Sequence, residues 1–570
     1  MTGREKVAVI GAGALGLMAL KQFREDGFEA VAFETRPYVA GLWKDTDDST
    51  ISVLATTILN TSKFRAAISD FPFPEEADVY PTAAQTHAYL EGYADHFELR
   101  EHIHLNHKVE HILREQDRWI LQVQDTKTGT ISTRRFDRVC VATGTFTTPR
   151  RPKLAGIENF TGKVLHSIDF HGSEPFNGDN VLVIGMHATA QDVTNVLSES
   201  AKHVYLSHRH GLLMLPRYND KGEAYDTAQR LPLVMLQNWF QSHLPGLWTY
   251  MVDRRLDATS SKAFPDLPDE WGLTPRPSIA TATPFRADTF YPFLKSGFAE
   301  PVPAVARVLG PRTVELTNGR VLRDIDTILY CTGYNQNIPA SLIPSSTPDP
   351  SGGDPATTTA PSPFHPFPDG PGHEPRLYMN IFPLASDPAA RNSLAFLGQA
   401  SFLYPGLVQF ELQAMAVSQV WRAVRSLPPH AEMLAWHAAN LRHREALMRR
   451  YGGSHDGTFY VGLLPGEVML PWLDSTAGTG IFEHFGGKFN GMFNRRAWRL
   501  WWHDRELYDL CVKGILSPTV YRAFPAGGRR ALPRDEVVRA LKRDNEVYER
   551  AVLARQKGFP VSNADHEHVE

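Results

Sequence analysis

Three glycines spaced Gly11-x-Gly13-x-x-Gly16 at the end of an apolar run, and a carboxylate at Glu34, are the first residues here whose types and spacing specify chemistry. Glycine at 11 permits a tight turn, glycine at 13 lets a pyrophosphate approach the backbone with no Cβ in the way, and glycine at 16 lets the following helix pack closely on the strand. The amides of that helix's first turn then face an anion. Glu34 follows Gly11 by 23 positions, the interval at which an acid commonly meets a ribose hydroxyl. The chemistry predicted is dinucleotide binding.

The elements that must position these residues are legible around them. Residues 7–10 read as a buried strand, and Leu15, Met18, Ala19 and Phe23 are apolar at helical spacing, with Gly27 placed to end the helix. Residues 30–34 form the next strand. A lone glycine pattern also fits an ordinary strand-to-helix turn; strand, turn, helix, strand and acid in that order point to the nucleotide.

A chain of 570 residues with 42% hydrophobic and 21% charged residues can bury a large core and predicts two or three domains. A formal net charge of −4 and no basic run argue against a nucleic-acid partner. Cys140, Cys331 and Cys511 lie far apart, which excludes a local Cys-x-x-Cys redox pair. The first strand begins a few residues after Met1, so no signal peptide and a cytoplasmic location are expected. Residues 231–252 are the most apolar helical stretch, but Gln237, Asn238, Gln241, His243 and Pro245 interrupt it, so an amphipathic or buried helix is expected rather than a transmembrane anchor. Its Trp239, Phe240, Trp248 and Tyr250 are expected in core packing, with a substrate entrance or a membrane surface as the rarer uses.

Further along, Gly41, Leu42 and Trp43, then Asn60-Thr-Ser-Lys63, then Ser69-Asp-Phe-Pro-Phe-Pro74 are similar to the corresponding parts of flavin-containing monooxygenases. In that family the asparagine matching Asn60 sits beside the flavin and the nicotinamide and helps stabilise the oxygenated flavin. A carboxamide carries donors and an acceptor, which suits that role, although by type alone such an asparagine is more often a loop-capping residue. Phe160-x-Gly-x-x-x-His166-x-x-x-Phe170 resembles the same family's fingerprint, where the Baeyer–Villiger form ends in tryptophan. His166 is expected to be a hydrogen-bonded linker between domains rather than a chemical group. The strand ending in Thr143-Gly144, a second Thr-Gly strand at 326–334, and the segment 394–413 containing Gln399 resemble parts that return the chain to the flavin. Val109, in the strand-like region 107–125, is taken as a further cofactor contact.

A second nucleotide unit begins at Gly185, with a strand before it, a helix from Thr189 to Leu197 and a strand ending at Ser207. Ser207 and Arg209 stand where an acid would select NAD, and they suit a 2′-phosphate, hence NADPH. The family has Gly-x-Gly-x-Ser at the turn; this chain has Gly185-Met-His187-Ala-Thr189. Either the turn is reshaped so that Thr189 and helix amides still hold the pyrophosphate, or the second site is weakened or lost. Arg209 argues for the former.

The resemblance covers most of residues 5–420. It implies an α/β fold of two Rossmann-like dinucleotide-binding domains, for FAD and NADPH, the second inserted in the first, plus a helical C-terminal region. The corresponding division is 1–172 and 376–470 for FAD, 173–335 for NADPH, 336–375 for a flexible Pro/Gly-rich insertion and 471–570 for the helices. The implied activity consumes NADPH and dioxygen, forms a C4a-(hydro)peroxyflavin and delivers one oxygen atom to an amine nitrogen or sulfur of a small-molecule substrate. Baeyer–Villiger attack on a ketone and a substrate-reduced oxidase are the alternatives. No metal is implied, and the sequence leaves a homo-oligomer open.

Overall fold

The computed structural model describes residues 4–46, 51–146, 148–344, 362–368, 373–452, 462–487, 494–524, 526 and 531–558. Most of the insertion expected at 336–375 lies outside them.

Two five-stranded parallel sheets organise the chain. In the first, Lys6–Ile10 lies at the centre between Glu29–Glu34 and Arg138–Val141, with Ile103–Leu105 and Leu394–Phe396 at the edges. Val7, Ala8 and Val9 are inaccessible to solvent, as a central parallel strand covered on both faces requires. Helix Ala14–Glu25 covers one face and packs on helix Gly406–Trp421, which is buried almost all round. Trp421 closes this layer against Phe23, ring centroids 4.9 Å apart.

The second sheet runs Ala299–Val302, His203–Ser207, Asn180–Ile184, Thr327–Tyr330 and Lys163–His166. The expected nesting is present, since the chain leaves the first sheet after Arg138–Val141 and returns to it at Leu394–Phe396. Lys163–His166 is hydrogen-bonded into the second sheet, so the crossover precedes residue 163 rather than residue 173. His166 secures the end of this strand. Its Nε2 lies 3.1 Å from the Gly333 carbonyl and Nδ1 accepts from the Ile168 amide at 3.2 Å, pinning this strand beside the Thr332-Gly333 turn.

The region 231–252 is two helices, Leu231–His243 and Pro245–Ala263, because Pro245 supplies no amide to continue the first. The aromatics are not core residues. Trp239, Phe240 and Trp248 are partly exposed and cluster on one another, and Tyr250 is 58% exposed. Among the described residues no helix is long and apolar enough to cross a membrane.

The C-terminal helices, His430–Tyr451 through Arg534–Gln556, close on the first domain. Arg522 carries the contact: fully buried, it meets Glu25 at 3.0 Å, Asp70 at 3.1 Å and Glu411 at 3.2 Å, and donates to Ser69 Oγ at 2.7 Å. These carboxylates keep it charged despite burial. Removing it would strand them, at about 3–5 kcal/mol. Ser69 and Asp70 of the Ser-Asp-Phe-Pro motif thus anchor the C-terminal region.

Candidate active site

A cavity of about 2630 Å³ lies where both sheets present the C-terminal ends of their central strands. Open α/β sheets bind ligands in that crevice.

At the first turn Gly11 has φ +101°, and a Cβ there would sit 2.8 Å from the Ala142 carbonyl oxygen. Gly16 tolerates no side chain, because its Cβ would lie 1.9 Å from the Gly11 oxygen. Gly13 caps helix Ala14–Glu25 and faces Gly41 so closely that a Cβ on Gly41 would come within 3.0 Å of the Gly13 Cα. This bare backbone cradle is the form a pyrophosphate requires. Glu34 is held by the amides of Ala12 at 2.7 Å and Arg36 at 2.9 Å, aligning its carboxylate at the cavity wall. Leu42, Trp43, Val109, Thr143 and Gly144 line the same end. Gly16 lies behind the turn. Gln399 is 1% exposed, its Oε1 unpartnered among the described residues, and does not line the cavity, where Gln409 does.

The second turn repeats the geometry. Gly185 has φ +110°, and a Cβ would lie 2.3 Å from the Cys331 oxygen. Thr189, Ser207 and Arg209 line the cavity. Pairing of Ile10 with Phe33 and of Ile184 with Ser207 makes His208 the counterpart of Glu34, and its ring is engaged by the carbonyls of His210 and Trp271, each at 2.8 Å. Arg276, which sequence reasoning passed over, lines the cavity too and is held by Asp257 and Ser261.

Asn60 is exposed and lines the same cavity as the two turns. Its Oδ1 accepts from the Arg286 amide at 3.4 Å and its carbonyl from Arg286 Nε at 3.3 Å, while the same guanidinium reaches the Pro216 carbonyl at 2.7 Å. Asp192, on the second nucleotide helix, accepts from Thr57 of the first domain at 2.9 Å. Burial raises its carboxyl from 3.8 to about 6, opposed by Thr57 and Arg217. Helical spacing from the Gly185 turn offered a signal for Asp192. Arg286 offered none, since it lies in the stretch with least family likeness.

Two nucleotide turns opening on one cavity define a class, the oxidoreductases that bring two dinucleotide cofactors together. The comparisons narrow it. The family described as Flavin-binding monooxygenase-like matches residues 4–343. Monooxygenase aurF of Gibberella zeae is 34% identical over 546 residues, covering 95% of this chain and 98% of the relative. Dimethylaniline monooxygenase 2 (N-oxide-forming) of Pan troglodytes is 27% identical, covering 75% and 76%. Among solved structures, cyclohexanone monooxygenase in a closed form superposes with a TM-score of 0.59 at 17% identity, covering 84% and 98%. S-allyl-L-cysteine S-oxygenase from Allium sativum gives 0.56 at 19%, covering 96% and 99%. This chain belongs to the flavin-binding monooxygenase-like family and is a flavin monooxygenase.

Proposed function

We propose that the chain is an FAD- and NADPH-dependent monooxygenase that transfers one oxygen atom to an amine nitrogen or sulfur of a small organic molecule. The observation that carries the reading is Asn60. Its carboxamide oxygen is taken by the Arg286 amide, and no acceptor among the described residues engages its NH2, which leaves that donor for the cavity. A fixed donor there favours charge developing on oxygen without reorganisation.

Reduced FAD supplies the chemistry that activates dioxygen. The protein's own residues do the rest. The bare turn at Gly11, Gly13 and Gly41 receives the FAD pyrophosphate, and Glu34 accepts from the ribose. The turn at Gly185 with Thr189 receives that of NADPH, while Ser207, Arg209 and Arg276 serve the 2′-phosphate. Leu54, Leu59, Leu212, Leu213 and Phe410 give the cavity apolar walls that exclude water. The Phe170 ending of the fingerprint and the likeness to an N-oxide-forming relative support heteroatom oxygenation over ketone oxygenation.

Product analysis with sulfide, amine and ketone probes tests this. Sulfoxide or N-oxygenated product is expected; ester or lactone alone overturns the reading. Anaerobic mixing of the FAD-loaded protein with NADPH should bleach the oxidised-flavin band, and absence of bleaching removes NADPH as the reductant.

A further inference from the structure

His187 stands where the family has glycine, and the function above leaves it unused. Its backbone is ordinary extended chain (φ −107°, ψ −165°), so the dihedrals require no glycine, and the residue caps helix Ala188–Leu197. The imidazole is exposed along the cavity wall, and desolvation by the surrounding protein holds its pKa below the usual range. Nε2 lies 3.1 Å from the Thr283 carbonyl oxygen. A carbonyl can only accept, so Nε2 carries the proton of the neutral ring and Nδ1 does not. The ring also packs on Phe285, centroids 5.1 Å apart.

Thr283 and Phe285 lead directly into Arg286, the residue that holds Asn60. Phe285–Arg286 is fixed in turn by pairing with Met214–Leu215. One short, packed path therefore runs from the phosphate turn through the imidazole and residues 283–286 to the Asn60 carboxamide. The ring cannot rotate away from an arriving cofactor without giving up its bond to Thr283.

We propose that His187 is a positioning residue that couples occupation of the second dinucleotide turn to the placement of Asn60. The substitution of glycine then adds a contact that a glycine turn lacks. The inference rests on the role assigned to Asn60 above.

Coupling between two positions is reciprocal, so it can be read from binding alone. NADP+ affinity is measured on FAD-loaded wild type, Asn60→Ala, His187→Gly and the double variant. With the relay present, Asn60→Ala changes NADP+ affinity in wild type, and that change shrinks by about fivefold or more once His187 is glycine. Effects that multiply independently to within about twofold overturn the proposal. If His187→Gly does not load FAD, His187→Asn and His187→Leu replace it: the carboxamide can donate to Thr283 and the isobutyl group cannot. Coupling is expected in the first and not in the second, and the same result in both overturns the relay. Failure of the Asn60 assignment reads differently, as unchanged hydrogen peroxide release per NADPH in Asn60→Ala.

Discussion

The two nucleotide turns are built on one plan and differ where a side chain meets the helix. In both, the leading glycine donates its amide to the neighbouring strand, Gly11 to Phe33 at 2.7 Å and Gly185 to Ser207 at 2.9 Å, with φ near +100° in each. In the first, the Leu17 amide bonds back to Gly13 at 2.9 Å. In the second, the amides of both Ala190 and Gln191 reach the His187 carbonyl, at 2.9 and 3.2 Å, so that helix starts with a tighter turn. Position 16 admits no Cβ, whereas its counterpart Ala190 is an alanine with no solvent exposure. A glycine fingerprint thus reports how closely a helix must approach its strand. Where the first turn is wound differently, alanine and histidine occupy two of the three positions while the turn still opens on the cavity.

The sharpest way to break this comparison is to exchange the side chains. Gly16→Ala sets a methyl against a backbone oxygen, a clash that no rotamer relieves, and should lower the flavin-to-protein ratio of purified protein by about tenfold or more. Ala190→Gly should leave flavin content unchanged. Normal loading of Gly16→Ala would show that the two turns are equally permissive. Glu34→Ala follows: it strands the amides of Ala12 and Arg36 as well as removing the ribose partner, and titration should show FAD binding weaker by about ten- to a hundredfold. Arg209→Ala should reduce the preference for NADPH over NADH by about tenfold, since only NADPH carries the 2′-phosphate. Equal weakening of both would detach Arg209 from the phosphate.

The smallest effect concerns Asp192, on the helix that follows the second turn. Its folded-state pKa of about 6 exceeds the unfolded 3.8, so over roughly pH 4–6 the folded chain holds a proton that the unfolded chain has released. Stability contributed by this group falls as pH rises through that window and stays lost above it. Asp192→Asn should therefore melt a few degrees above wild type at pH 7 and level with it near pH 4. An advantage confined to the acid side would reverse the assigned cause.

What could be read along the chain was whatever a few consecutive residues settle by steric necessity. The first strand, turn, helix and acid lie within residues 6–34, where Gly11 takes a positive φ and Gly16 packs against the Gly11 oxygen. The second unit was legible for the same reason, and residue type alone marked His187 as a departure. The direction of its ring was not legible, because that depends on Thr283 and Phe285, brought alongside only by the second domain. Arg286 reaches Asn60 across 226 positions and Thr57 meets Asp192 across 135. No periodicity encodes such pairs. By itself the sequence determined the two nucleotide turns, since the positive φ of the leading glycine in each, Gly11 and Gly185, is a local demand that other residues meet only under strain. Only the tertiary structure decided what holds Asn60 and where the His187 imidazole lies, because those positions follow from how two separately formed sheets pack around one cavity.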